Sequence, residues 1–181
     1  MKIIETKLKD CFIIEPHIFK DSRGYFFECF NQEKFNELMG SNINFVQDNE
    51  SFSTKGVLRG LHYQRGIYTQ AKLVRVVKGN VLDVVVDIRE DSATFGNHLA
   101  LELSSKNKKQ LYIPKGFAHG FVVLSKTAIF SYKCDNYYNK KFESGIIFND
   151  TTLNIDWRLK DSEIIVSEKD LILPKFKNAE I

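Results

Sequence analysis

The sequence predicts a mainly β fold, a sandwich or barrel, with few helices. Aromatic residues make up 13% of the chain, including 15 Phe and 7 Tyr, and these residue types favour strands. Short apolar runs recur at regular spacing between turn residues, which is the pattern of a sandwich or barrel. The chain has 181 residues, 43% of them hydrophobic, which fits one globular unit with a substantial core. We therefore predict a single domain over residues 1–181.

The first element with clear boundaries is a helix over Asn31–Met39. Asn31 is a candidate N-cap, Phe35 and Leu38 lie three residues apart, and Gly40 follows the last helical residue. Other helical signals are weak. Ser104–Gln110 is polar and rich in lysine, so it predicts a turn or a single helical turn.

Two β-branched runs, Lys72–Val77 and Val81–Ile88, flank a short turn that contains Gly79 and predict a hairpin. In the second run, alternate residues are apolar and face the core, whereas Asp83 and Asp87 lie on the other, partly polar face. The segment after Trp157 is predicted to pack on this β body. The other strand candidates, in chain order, are Cys11–Glu15, Tyr25–Phe30, His98–Leu103, Gln110–Ile113, Gly120–Leu124, Ala128–Cys134 and Gly145–Phe148.

Charge and cysteine content argue against several classes of protein. The 26 Lys and Arg exceed the 23 Asp and Glu by only three, without a basic block, which argues against nucleic-acid binding. Cys11, Cys29 and Cys134 have no metal-knuckle or disulfide spacing, which indicates a reducing compartment and a cytoplasmic protein. The N-terminus lacks the apolar core of a signal peptide, and no segment is apolar enough to cross a membrane.

The segment Gly56–Gln64 (GVLRGLHYQ) is the first candidate for chemistry. Two glycines bracket Arg59, and His62 follows two residues after the second, on a tightly turned segment that enters a strand. A hydrogen-bonded strand histidine beside a surface arginine would have the same spacing. Spacing alone leaves both interpretations open.

The segment Pro114–Gly120 (PKGFAHG) is the second candidate. Its Pro-x-Gly-x-x-His pattern resembles the second motif of the cupin superfamily, which implies that His119 points into the mouth of a small double-sheet barrel. Metal-binding cupins also need a His-x-His followed by Glu, whereas the corresponding residues here are His62-Tyr63-Gln64. Two imidazoles without a carboxylate or thiolate partner make a poor transition-metal site. We therefore predict a site without metal.

Two further segments carry groups that suit acid and anion chemistry. Tyr132 and Tyr138 stand at the two ends of YKCDNYY and could serve as a phenolic acid and a stacking platform, although packing explains them equally. Ser167–Asp170 (SEKD) offers a carboxylate and an ammonium group, and a solvated charged turn is the simpler interpretation.

Taken together and in order, these segments closely resemble the dTDP-4-dehydrorhamnose 3,5-epimerase family. The resemblance runs from about Ile13 to Pro174 and is carried by IIEPHIFKDSRGYFFE, FVQDNESFSTKGVLRGLHYQ, QAKLVRVVKGNVLDVVVDIR, SATFG, LYIPKGFAHGF, YKCDNYY, ESGIIFND and SEKD. It implies a cupin-like double-stranded β-helix, or jelly-roll barrel, with a few short helices. It also implies a homodimer built by strand exchange and a cofactor-free epimerisation of a nucleotide-diphospho-4-keto-6-deoxy sugar.

The residue types agree with that chemistry. Protons on C3 and C5 are acidic because the carbanion left behind delocalises onto the C4 oxygen, so epimerisation needs a base, an opposing acid and a cation near the enolate. The resemblance implies that His62 is the base with Asp170 as its hydrogen-bonded partner, that Lys72 stabilises the enolate, and that Tyr132 is the acid.

The resemblance also implies a set of ligand contacts. Arg59 and His119, with Lys72, are expected at the sugar and diphosphate. Tyr138 corresponds to the tyrosine that stacks on the nucleobase. The other implied contacts are Gln47, Asn49, Glu143 and Lys169 from the same chain and Arg23, Phe26 and Glu28 from the partner subunit.

The chain departs from the family pattern outside the catalytic groups. Arg65–Thr69 replaces a proline-containing stretch, Phe148 and Thr151 replace a Trp and a Pro, and Cys29-Phe30 replaces a common Ser-Tyr. Thymidine is therefore an expectation. Alternatives are the same chemistry on a GDP-linked sugar such as a capsule heptose, inversion at C3 only, a related ketoisomerase, and a non-catalytic sugar-nucleotide-binding cupin. The presence of base, cation, acid and carboxylate partner favours catalysis.

Overall fold

The computed structural model describes residues 1–181 and contains thirteen strands, two short α-helices and four 3₁₀ turns. The prediction of a mainly β fold is confirmed. The strands are β1 Lys2–Glu5, β2 Phe12–Glu15, β3 Phe19–Asp21, β4 Gly24–Phe26, β5 Gln47–Thr54, β6 Leu58–Gln64, β7 Lys72–Lys78, β8 Asn80–Asp87, β9 His98–Ser104, β10 Gln110–Ile113, β11 Phe117–Val123, β12 Thr127–Cys134 and β13 Glu143–Gly145, and the helices are α1 Gln32–Met39 and α2 Glu168–Leu171.

The strands form two facing antiparallel sheets and one separate hairpin. The six-stranded sheet has the order β1-β2-β10-β7-β12-β5, and the five-stranded sheet has the order β13-β6-β11-β8-β9. Strands β3 and β4 pair only with each other. A buried cluster that includes Val76, Val85, Phe121 and Phe130 fills the space between the sheets, and the rings of Phe121 and Phe130 stack with centroids 4.2 Å apart. The two sheets therefore enclose a barrel-like interior.

The predicted hairpin of Lys72–Val77 and Val81–Ile88 is wrong, because these strands lie in different sheets. β7 pairs with β10 and β12, whereas β8 pairs with β11 and β9. Gly79 has φ +80°, and a Cβ there would lie 2.2 Å from the carbonyl oxygen of Thr127. The turn therefore carries the chain across the barrel corner. Two β-branched runs joined by a glycine turn have the same sequence pattern whether they pair as a hairpin or lie in different sheets.

Both outer faces of the sheets are covered in part. The C-terminal segment packs through Trp157 and neighbouring apolar residues on the outer face of the five-stranded sheet, as predicted, and Tyr63 Oη donates to the carbonyl of Glu180 at 2.7 Å. Helix α1 places Phe35 in a second cluster with Leu73 and Tyr112. β8 is buried on both faces, by the interior cluster on one side and by the C-terminal segment on the other.

Local signals located the helix more accurately than some strands. Asn31 caps α1 through its side chain, which accepts from Lys34 N, and Gly40 ends the helix at φ 60°, as predicted. Of the predicted strand Tyr25–Phe30, only the first two residues lie in a strand, β4. The strand predicted at Gly145–Phe148 is found earlier in the chain, as β13, and β11 begins at Phe117, before the predicted start. Strands β1, β3 and β5 were not predicted. No helix of the chain combines the length and the apolarity needed to span a bilayer.

Candidate active site

A cavity of about 740 Å³ opens between the two sheets. Its walls bring together residues from six strands, from the loop after β12 and from α2, although these segments are far apart in sequence. Eleven of the predicted site residues line it: Gln47, Asn49, Arg59, His62, Lys72, His119, Tyr132, Tyr138, Glu143, Lys169 and Asp170.

His62 and Asp170 form a hydrogen-bonded pair in the wall contributed by the five-stranded sheet. The Nε2 atom of His62 lies 2.8 Å from Oδ1 of Asp170, and the N–H of Gly60 donates to Oδ2 at 3.3 Å. Burial favours the neutral acid, but the hydrogen bond from His62 and its charge outweigh burial and lower the pKa of Asp170. An ionised Asp170 makes Nε2 the protonated nitrogen, which leaves Nδ1 of His62 free to accept a proton.

Lys72 and Tyr132 occupy the opposite wall, on the six-stranded sheet. Strand pairing places Cys134 directly across from Lys72, and Tyr132 lies two residues before Cys134 on the same inward face. Burial lowers the pKa of Lys72 and raises that of Tyr132. Tyr132 therefore keeps its proton at neutral pH and is able to donate it.

His119 lies beside His62, because the two residues are cross-strand partners on β11 and β6. Its Nε2 atom is 2.9 Å from Oδ2 of Asp83, and both side chains are buried. Arg59 also lines the cavity, and its Nε atom donates to Ser53 Oγ at 3.2 Å. This end of the cavity therefore presents basic groups suited to an anionic oxygen.

The outer part of the cavity combines a stacking surface with hydrogen-bonding groups. Tyr138 is half exposed, and its hydroxyl donates to Glu143 Oε2 at 2.9 Å. Lys169 pairs with the same carboxylate oxygen, at 2.5 Å. The Gln47 amide donates to Asn49 Oδ1 at 3.1 Å and accepts from the N–H of Tyr138 at 3.1 Å. An exposed ring beside fixed amides is suited to bind a planar heterocycle.

The three remaining predicted residues lie outside the cavity of their own chain. Arg23 and Phe26 belong to the exposed β3–β4 hairpin, where Arg23 pairs with Asp21 and the Phe26 side chain is 70% exposed. Glu28 follows the hairpin and pairs with Lys34 at 2.9 Å. The structure of one chain therefore does not bring them to the other predicted residues.

Sequence reasoning did not assign a site role to several residues that line the cavity or lie directly behind its wall. Asp83 was recognised only as part of a polar strand face, and its pairing with His119 depends on the register of β8 and β11. Gln64, Gln70 and Cys134 also line the cavity. For Gln64 and Cys134 the available signal was their alternation with apolar residues on strands, whereas Gln70 lies in the loop before β7. No group of three or more His, Cys, Asp or Glu side chains is arranged to hold a metal ion.

Comparison with known proteins gives consistent matches along nearly the whole chain. A family model described as dTDP-4-dehydrorhamnose 3,5-epimerase matches residues 5–178. A dTDP-4-dehydrorhamnose 3,5-epimerase from Shigella flexneri is 52% identical, and the alignment covers 99% of this chain and 98% of the relative.

Solved structures extend the similarity to three dimensions. The crystal structure of a dTDP-4-dehydrorhamnose 3,5-epimerase from Elizabethkingia anophelis is 58% identical with a TM-score of 0.95, covering 98% of this chain and 97% of that one. A 3,5-epimerase from Legionella pneumophila, solved in complex with dTDP-4-keto-L-rhamnose, is 49% identical with a TM-score of 0.94, covering 98% and 93%. The predicted cupin-like fold is thereby confirmed.

Proposed function

Because the chain belongs to the dTDP-4-dehydrorhamnose 3,5-epimerase family, we propose that it inverts C3 and C5 of a dTDP-linked 4-keto-6-deoxy sugar. The protein is an enzyme, an epimerase of nucleotide sugars, as predicted. The relatives described above are named for dTDP-linked sugars and do not support the alternative of a GDP-linked heptose. One observation carries the assignment of roles: a carboxylate-paired histidine on one sheet lies in the same cavity as a tyrosine and a lysine on the facing sheet.

The first step of the proposed mechanism is proton abstraction by His62. Its Nδ1 atom takes the proton from C5 or C3 of the sugar, and the electron pair of the broken C–H bond delocalises onto the C4 oxygen. Asp170 stabilises the imidazolium that forms and holds the ring in one tautomer. The carboxylate itself keeps its negative charge throughout.

The second step is protonation from the other side of the ring by Tyr132. The enolate is stabilised by the Lys72 ammonium group, which lies on the same sheet as Tyr132. The enolate carbon takes the phenolic proton, so the stereocentre is inverted and a tyrosinate is left. His62 and Tyr132 return to their starting protonation states by proton exchange with solvent. The same sequence then applies to the second carbon.

The nucleotide is proposed to bind at the outer part of the cavity. Tyr138 offers an exposed ring for stacking on the thymine, and Gln47, Asn49, Glu143 and Lys169 supply polar contacts around it. Arg59 and His119 reach the diphosphate and the sugar from deeper in the cavity. Removing the ring with Tyr138→Ala should therefore raise KM more than it lowers kcat.

Epimerisation is tested by incubation in D2O with dTDP-linked and GDP-linked 4-keto-6-deoxy sugars. We expect deuterium at C3 and C5 of the dTDP-sugar, located by NMR. Label at C3 alone would restrict the reaction to one centre, and preference for the GDP-sugar would contradict the assigned nucleotide. His62→Ala should abolish exchange, and His98→Ala is a matched control because His98 lies on β9, outside the cavity. Normal turnover of His62→Ala would overturn the proposed base.

A homodimer is proposed because three predicted nucleotide contacts lie outside the cavity of their own chain. The β3–β4 hairpin pairs with no other strand and exposes Phe19, Tyr25 and Phe26. We expect it to reach the cavity of a second copy, where Arg23, Phe26 and Glu28 would meet the nucleotide.

Subunit mixing tests this exchange. Arg23→Ala and His62→Ala chains are purified separately, partly unfolded together and refolded, and activity is measured at limiting substrate. If the hairpin serves the partner's cavity, a mixed dimer contains one complete site, so activity rises above that of either parent. If it serves its own cavity, no complete site forms and the mixture stays at the weighted parental activity, which would refute the exchange.

The same proposal places the enzyme in the cytoplasm and gives it no metal. Cys11, Cys29 and Cys134 are free thiols, which suits a reducing compartment. His62 and His119 are neighbours, but no third His, Cys, Asp or Glu side chain is arranged with them, and two imidazoles alone make a poor transition-metal site. Stoichiometric tightly bound metal in elemental analysis, with activity lost on chelation, would contradict the metal-free assignment. The 1–181 chain is proposed to act as a single domain.

A further inference from the structure

Asp83 is a buried carboxylate behind the cavity wall, against His119, and the proposed mechanism gives it no role. It lies in the middle of β8, and its side chain has no solvent exposure. One carboxylate oxygen, Oδ2, is 2.9 Å from His119 Nε2. The other, Oδ1, is buried and has no hydrogen-bond partner. A half-satisfied carboxylate in a protein interior is costly, so a purely structural role would be served better by an apolar residue.

The pairing of Asp83 with His119 repeats the pairing of Asp170 with His62. His62 and His119 are cross-strand partners, and each ring directs Nε2 to a carboxylate, at 2.8 and 2.9 Å. The wall opposite Lys72 therefore carries two imidazoles in parallel, each held from behind by an acid. In both pairs, Nδ1 is the nitrogen left for a ligand.

Lys72 needs a nearby negative charge, because burial lowers its pKa. The titratable groups that face it are Cys134 and Tyr132 on β12, Glu143 on β13, and Asp83 with His119 on the facing sheet.

These groups differ in their ability to hold Lys72 protonated. Burial raises the pKa of Cys134 to about 11, so its thiol is neutral at pH 7. Glu143 is already paired with Lys169 and accepts from Tyr138. Asp83 favours the charged form of Lys72 and keeps one oxygen uncommitted. Asp83 is therefore the carboxylate that keeps an oxygen free to balance the ammonium charge of Lys72.

We propose that Asp83 is a positioning residue of the epimerase, which holds the His119 ring in the cavity wall and supplies the negative charge that keeps Lys72 protonated. It acts on the reaction through these two groups. Without it, the pKa of Lys72 would be lowered further, which weakens the stabilisation of the enolate oxygen at alkaline pH, and the His119 ring would lose its anchor. This inference rests on the proposed epimerase function.

The test compares Asp83→Asn with Asp87→Asn. Both carboxylates are buried on the same face of β8, but Asp83 pairs with His119, which lines the cavity, whereas Asp87 pairs with Arg89, which does not. Asp83→Asn should lower kcat by about 10- to 100-fold, a partial loss of oxyanion stabilisation. It should also move the alkaline limb of the pH–rate profile down by about one pH unit, the effect of removing one nearby opposite charge. Asp87→Asn should leave both quantities unchanged.

The outcomes separate this inference from the proposed function. If the unmodified enzyme does not exchange C3 or C5 protons in D2O, the proposed function fails. If it does, and Asp83→Asn retains the normal rate and alkaline limb, only the role of Asp83 is overturned. Should Asp83→Asn fail to fold, NMR of ¹⁵N-histidine-labelled unmodified enzyme decides. A proton on His119 Nε2 supports the anchor, and an unprotonated Nε2 refutes it.

Discussion

Replacing Asp170 by Asn should stop the reaction while leaving the fold and the shape of the cavity unchanged. Asp170 uses both oxygens: Oδ2 accepts the N–H of Gly60 at 3.3 Å, and Oδ1 faces His62 Nε2 at 2.8 Å. In Asp170→Asn, the remaining oxygen is needed by the Gly60 N–H, so the amide nitrogen faces His62. An amide N–H can only donate, so Nε2 must become the acceptor and the imidazole proton moves to Nδ1. The nitrogen required as base is then blocked.

The expected magnitude follows from this change of tautomer. The equivalent Asp-to-Asn change in a serine protease triad lowers kcat by about 10⁴-fold through the same effect. We expect the deuterium exchange rates at C3 and C5 to fall together by about 10³- to 10⁴-fold, with little change in KM, because one base serves both centres. The His62 side chain of the proposed pair is partly exposed to solvent. We therefore expect the loss of exchange rate to lie nearer about 10³-fold than about 10⁴-fold.

Deuterium exchange in D2O, followed by NMR of the sugar ring, measures the loss directly. Glu168→Gln is the matched control, since it removes an exposed carboxylate from the same helix, α2. Circular dichroism melting curves establish that both variants fold. An Asp170→Asn enzyme that keeps more than about a tenth of the normal exchange rate would refute the tautomer argument.

Three further predictions concern the opposite wall and the stability of the barrel. Tyr132→Phe should lower the rate of inversion by about 10²- to 10⁴-fold while deuterium exchange continues. Inversion at the normal rate would contradict the assigned acid. Tyr112→Phe is the control, because Tyr112 lies outside the cavity. Burial lowers the pKa of Lys72, so the normal rate should fall at alkaline pH, and Lys72→Met should lose about 10²- to 10³-fold together with that alkaline limb. Burial of Asp87 favours its neutral form, but hydrogen bonds, the largest from Arg89, lower its pKa from 3.8 to about 2. A folded pKa below the unfolded one stabilises the protein above about pH 4, and this contribution, about 2 kcal/mol, is lost as the pH falls through 2. Urea unfolding should therefore show Asp87→Asn less stable by about 2 kcal/mol at pH 6 and nearly equal to the unmodified protein near pH 2.

The residues of the cavity could be predicted through the resemblance of several short motifs to the family, since spacing alone leaves structural interpretations open for His62, Tyr132 and Asp170. His62, Lys72, His119, Tyr132 and Asp170 are all found in one cavity. The path of the chain between the sheets could not be predicted, since the hydrogen-bond partners of a strand depend on sequence-distant segments. The misassigned hairpin around Gly79 is the clearest case.

Strand β5 was missed for a reason that concerns the site itself. Its inward residues include Gln47, Asn49 and Ser51, which are polar because they line the cavity, while Phe52 on the outer face is 61% exposed. This reverses the usual alternation of apolar inward and polar outward residues. A functional strand therefore fails the pattern by which ordinary strands are recognised.

The residues proposed for catalysis and the tyrosine proposed for nucleotide stacking are supported by different parts of the fold. His62, Lys72 and Tyr132 project from strands in two facing sheets, so packing of the barrel interior fixes their positions. Tyr138 lies instead on the loop after β12, which is held by Asn136. The Asn136 amide donates to the Ile67 carbonyl at 2.8 Å, and the Asn136 carbonyl accepts from Gln70 at 2.8 Å.

Ile67 belongs to the 3₁₀ turn Gly66–Tyr68, within the stretch where this chain departs from the family pattern. The altered stretch therefore contacts the loop that carries Tyr138, the proposed stacking ring, and lies outside the strands that carry the proposed catalytic residues. Substitutions in Arg65–Thr69 should accordingly change KM for the nucleotide without changing the exchange rate at saturating substrate. A parallel loss of kcat would mean that this turn also positions the catalytic wall, contrary to the separation inferred from the structure.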